Sequence, residues 1–75
     1  MSLYWLCYRH NNSMSVVIEP AHSLIHARLR SAIDGLDQGE FTEGHELPDK
    51  WKVAKQKIGR RLTQAEAKKL LAKFG

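Results

Sequence analysis

Between Leu3 and Arg9 the chain alternates along the backbone, with Leu3, Trp5 and Cys7 on one side and Tyr4, Leu6 and Tyr8 on the other, all of them apolar or aromatic. That is the period of a β-strand with two faces to bury. The polar stretch His10-Asn11-Asn12-Ser13 follows, built from residues that tolerate turn geometry. A second, β-branched run, Val16-Val17-Ile18, ends at Glu19-Pro20. Two such runs around a short polar break predict an antiparallel hairpin over residues 3–19. A two-stranded hairpin is marginal alone and needs cover.

The cover expected from the pattern is the next segment. Ile25, Leu29, Ala32, Ile33 and Leu36 recur at i, i+4, i+7, i+8 and i+11, one stripe of an amphipathic helix over residues 21–36. On this reading the stripe faces the hairpin, Pro20 suits the first turn, and Ser23, Arg30 and Asp34 face water. Gly35 and Gly39 are both candidate stops.

Phe41, His45 and Leu47 alternate with more polar positions, which predicts a short third strand. Beyond it two readings compete. Leu47-Pro48-Asp49-Lys50 fits a type I turn that returns the chain as a strand through Trp51 and Val53. Leu47, Trp51, Ala54 and Ile58 also lie at helical spacing, with Gly59 as a stop, and the helix over 51–58 is the favoured reading. Thr63-Gln64-Ala65-Glu66 then has the form of a capping box, so a helix opens there. Ala67, Leu70, Leu71 and Phe74 supply its apolar face while Lys69 and Lys73 point away. The expected fold is therefore a single α+β domain, a small antiparallel sheet packed against two to three α-helices. Its parts are a hairpin at 3–19, a helix at 21–36, an acidic connection at 37–49 and a basic helical segment at 50–75.

Length and composition narrow this further. Seventy-five residues, 43% hydrophobic and 27% charged, make one globular core near the lower limit for folding unaided. Cys7 is the only cysteine, so neither an intramolecular disulfide nor a multi-thiolate zinc site can form. The first residues lack the basic and apolar regions of a secretory leader, and no stretch is long enough to span a bilayer. A cytoplasmic protein without membrane partners is expected.

The net charge of +4 is partitioned. Through residue 47, Arg9, Arg28 and Arg30 are outnumbered by Glu19, Asp34, Asp37, Glu40, Glu43 and Glu46. From residue 48 on, Lys50, Lys52, Lys55, Lys57, Arg60, Arg61, Lys68, Lys69 and Lys73 face only Asp49 and Glu66. Such a segment is a candidate for sequence-independent contact with RNA or DNA phosphates. Against that stand lysines that merely solvate helix faces, and internal neutralisation by the acids of residues 34–46. Nothing in the last helix suggests base reading, since it offers mainly Lys and Ala.

Other candidates are thinner. Tyr4, Trp5 and Tyr8 could form an aromatic interface or stack bases, although a small core needs the same side chains. His22 and His26 stand at i, i+4 and could join His45 around a metal, but no carboxylate lies between them as in H-E-x-x-H. Cys7 sits inside a strand on the Trp5 face, which predicts an inert thiol. Glu40, Glu43 and Glu46 read as a solvated loop, and no glycine-rich phosphate loop occurs. The expectation is a non-enzymatic protein-interaction or adaptor domain that binds a protein partner or itself, needs no cofactor, and has nucleic-acid binding as the alternative.

Overall fold

A computed structural model describes all 75 residues. It is an α+β fold in which strands β1 (Ser2–His10), β2 (Ser13–Ala21), β3 (Glu40–Glu46) and β4 (Arg61–Leu62) form one antiparallel sheet in the order β3-β1-β2-β4. Helix α1 (Leu24–Ile33) joins β2 to β3, and α2 (Gln64–Phe74) follows β4.

The hairpin forms as the alternation predicts and runs slightly longer than 3–19. β1 and β2 pair from His10↔Ser13 to Ser2↔Ala21 around a two-residue turn, where Asn11 takes a positive φ of 55°. Asparagine accepts that left-handed backbone more readily than most residues. Pro20, expected in the first turn of a helix, is instead a β2 residue paired with Leu3. The sheet accommodates it because the Leu3 carbonyl accepts from the Leu47 N–H on the β3 side. Leu3 and Pro20 therefore form a non-hydrogen-bonded pair, and the position where proline lacks an N–H faces the outer edge of β2.

The sheet is covered on both faces, which explains why β1 is apolar on both. On one face Tyr4, Leu6, Tyr8, Val17 and Ala21 pack beneath Ala27 of α1, with Leu24, Leu36 and Phe41 at the margin. On the other, Trp5, Cys7, Val16, Ile18 and Leu62 pack with Leu47 and with Ala67 and Leu70 of α2. Leu6, Val17 and Ile18 are wholly buried, each contributing roughly 1.5–3 kcal/mol by leaving water.

Helix α1 is shorter than the expected 21–36 and is rotated relative to the expectation. Ser23 is its N-cap, accepting from the His26 N–H, and Gly35 ends it at φ 71°. The residues turned to the sheet are Leu24, Ala27 and Ser31, whereas Ile25, Leu29 and Ile33 point to solvent. The physical reason lies in the sheet: Tyr4, Leu6 and Tyr8 already fill the space beneath α1, so the small Ala27 and Ser31 sit between helix and strands while Leu24 packs at the margin.

The favoured helix over 51–58 does not form. The chain runs extended through this region with a single 3₁₀ turn at Lys55–Lys57, held in place by aromatic packing. Trp51 meets Trp5 edge-on at 5.7 Å and stacks on Phe74 at 5.4 Å. Burial of one large indole decides the path here, ahead of the helical spacing. The third strand and the capped C-terminal helix form as predicted, with both halves of the capping box made between Thr63 and Glu66.

Candidate interaction surfaces

The basic segment reaches the surface largely unpaired. The two ion pairs in the structure are Arg9–Glu40, at 3.9 Å, and Arg60–Glu66, at 2.6 Å. Neither joins the acids of residues 34–46 to the C-terminal cations by a direct ion pair, although Glu43 and Lys68 line the same concavity between β3 and α2. Arg60 is committed to structure: its Nε–H donates to the Gln56 carbonyl and its two terminal nitrogens grip the Glu66 carboxylate. That grip, aided by the Thr63 N–H, holds the Glu66 carboxyl down at about 2. Lys50, Lys52, Lys55, Lys57, Arg61, Lys68, Lys69 and Lys73 make no ion pair.

Part of this charge flanks an aromatic stack. The Trp51–Phe74 stack carries Lys50 and Lys52, on either side of Trp51, to the end of α2 where the Lys73 ammonium lies 5.3 Å from the Phe74 ring. Lys68 and Lys69 are exposed farther along α2. Arg61 lies across the sheet on β4, paired with Val17.

Tyr4, Trp5 and Tyr8, the aromatic interface candidates, are all core residues. The Trp5 indole N–H donates to the Cys7 sulfur at 3.1 Å, and the Tyr8 hydroxyl lies 2.6 Å from that of Ser31. Burial pushes the Cys7 thiol up, against the indole hydrogen bond, so it is a packed and protonated thiol. His22 and His26 stack at 5.5 Å, and His26 Nδ1 accepts from the His22 N–H, which commits that nitrogen to the helix entrance. His45 pairs with Trp5 on β3 and lies on the sheet face away from α1, so the three histidines are not brought together.

Two features escaped the sequence reading. One is Glu19, 1% exposed between β2 and α1. Burial and the neighbouring Asp34 push its carboxyl up to about 7 against the pull of Arg30, and Glu19 Oε2 and Arg30 Nε are buried without hydrogen-bond partners. The signal was present, because alternation from Val17 to Ala21 puts Glu19 on the inward side of β2.

The other is the outer face of α1. Ile25, Leu29 and Ile33 are 73%, 59% and 82% exposed, in one stripe at i, i+4, i+8. Beside the stripe runs a groove of about 350 Å³, walled by Leu29, Arg28 and Ala32 on the helix and by Tyr8, Asp37 and Phe41 opposite. The Arg28 guanidinium lies over the Phe41 ring at 4.1 Å. The overlooked signal was Ala27 and Ser31, a small-residue pair at i, i+4 on the opposite side of the helix, suited to close packing.

No helix in the structure is long and apolar enough to cross a membrane. Comparison with protein-family models, curated proteins and solved structures finds no match.

Proposed function

We propose that this chain is a small non-enzymatic interaction module, an adaptor that docks on protein through the outer face of α1. The observation that carries the reading is the exposed stripe of Ile25, Leu29 and Ile33. Contiguous aliphatic surface of this kind on a small chain marks a binding site more often than scattered single residues do. A partner that covers it removes three large side chains from water, the kind of helix anchor spacing used in helix recognition. The test is an affinity capture from nuclease-treated lysate with the wild type and with Leu29→Lys. Partners held by the wild type should be lost by the variant. No capture by either, together with a strictly monomeric chain at high concentration, would overturn the reading.

A second reading rests on a separate observation, the eight C-terminal cations that make no ion pair. Under it Lys50, Lys52 and Lys73, with the remaining unpaired lysines and Arg61, contact nucleic-acid phosphates without reading sequence. Binding to generic RNA or DNA should then fall steeply between low and moderate salt. A chain that binds neither at low salt ends this alternative.

A further inference from the structure

We infer that the outer face of α1 is the two-fold interface of a homodimer, a second copy of this chain being the partner; the inference rests on the docking role proposed for that face and names its occupant. A two-fold contact uses the same patch on both molecules, so the patch must complement itself. This one does: a ridge of Ile25, Leu29 and Ile33 borders the groove walled by Ala32, Tyr8 and Phe41, and Ile25 and Leu29 belong to both. Rotation by half a turn about an axis near Leu29 sets each ridge against the other copy's groove.

Charge separates this face from the remaining surfaces. The groove carries one charge of each sign, Arg28 and Asp37, so a second copy meets no net repulsion there. The opposite side of the molecule presents Lys68, Lys69 and Lys73 of α2, none of them in an ion pair, with Glu43 beside Lys68, so the cations outnumber the acid and two such faces repel. Strand pairing is disfavoured as well. The longer edge strand is β3, which carries Glu40, Glu43 and Glu46 in seven residues, and charged edges resist pairing; the opposite edge is interrupted by the two-residue β4 and by Pro20.

The area sets the strength. The three ridge side chains expose roughly 400 Å² of mostly apolar surface, comparable to the largest patch on a typical monomer. A standard specific interface needs on the order of 800 Å² per partner, so a patch of this size gives a weak dimer that forms only at high protein concentration.

The experiment is sedimentation equilibrium from about 1 µM to 1 mM, run on the wild type, Leu29→Arg and Lys69→Glu. The wild type should shift from monomer to dimer. Leu29→Arg should weaken that association by tenfold or more, while Lys69→Glu should not weaken it. Mild oxidation of Leu29→Cys should give a covalent dimer, and of Lys69→Cys none; both positions are exposed, so circular dichroism should report a native fold in each variant. A monomer at every concentration overturns the homodimer, as does a dimer insensitive to Leu29→Arg. If the chain is monomeric yet a purified partner binds in a Leu29-dependent way, the homodimer is wrong and the broader docking role stands. If neither association depends on Leu29, both are wrong.

Discussion

The Tyr8 hydroxyl donates to the Ser31 hydroxyl at the centre of the contact between β1 and α1. Their oxygens are 2.6 Å apart, and the direction follows from Ser31, whose single proton already goes to the Arg28 carbonyl at 2.8 Å. Removing either partner therefore has unequal consequences. Ser31→Ala strands a buried phenol donor, which costs about 1–3 kcal/mol. Tyr8→Phe leaves Ser31 bonded to Arg28 and should cost about 1 kcal/mol. Urea unfolding of the two variants and the double variant should show Ser31→Ala as the more damaging and the pair as less than additive.

Glu19 and Glu66 give stability opposite pH dependences. The folded-state pKa of Glu19 is raised from 4.5 to about 7, so the folded chain holds the proton more tightly than the unfolded one. Its stabilising share is complete below 4.5 and is lost as pH rises through 7. Glu66 is depressed from 4.5 to about 2, so its share is present above 4.5 and is lost as pH falls toward 2. Thermal melts across pH should therefore peak near 4.5–5. Glu19→Gln should flatten the decline on the alkaline side, and Glu66→Gln the decline on the acid side. A wild-type profile that rises from pH 5 to 8 would contradict the assignment for Glu19.

Trp51→Ala removes the ring that bridges Trp5 and Phe74. A loss of about 3 kcal/mol is expected for a half-buried aromatic of this size. Hydrogen exchange should rise chiefly across residues 48–58, whose position that ring secures. If the second functional reading holds, nucleic-acid affinity should also fall, because the backbone that carries Lys50 and Lys52 would no longer be anchored to Phe74 at the end of α2.

Ile33→Lys should be nearly silent for folding, within about 0.5 kcal/mol under conditions where the chain is monomeric. This contrasts with the several kcal/mol that the periodicity alone would assign to a residue on the stripe expected to be buried. Chemical denaturation at low concentration separates the two.

The sequence signals that held were those with local causes. Alternation in β1, the polar turn at Asn11-Asn12 and the Thr63–Glu66 capping box each depend on neighbours a few residues away, and each element formed. What was not legible depended on residues far along the chain. Helical spacing in α1 was real, but which side faced the sheet was settled by the bulk of Tyr4, Leu6 and Tyr8. The path of residues 47–58 was settled by a contact with Phe74, more than twenty residues on. For the surfaces, the cations were visible in the sequence, while the lack of ion pairs between them and the acids of residues 34–46 required three dimensions.

The short turn at Asn11-Asn12 also sets an order of events. Pairing His10 with Ser13 closes the smallest loop in the sheet, whereas pairing Arg9 with Glu40 must first gather about thirty residues, at a higher entropic cost. The β1–β2 ladder should thus be present in the folding transition state before β3 arrives. Asn11→Ala, strained at positive φ, should act mainly by slowing refolding. Gly44→Ala on β3, where a Cβ would meet Leu24 and Phe41, should instead act mainly by hastening unfolding. Stopped-flow chevrons of the two would display that division. The strand at the centre of the finished sheet is thereby also the one on which the remainder is assembled in time.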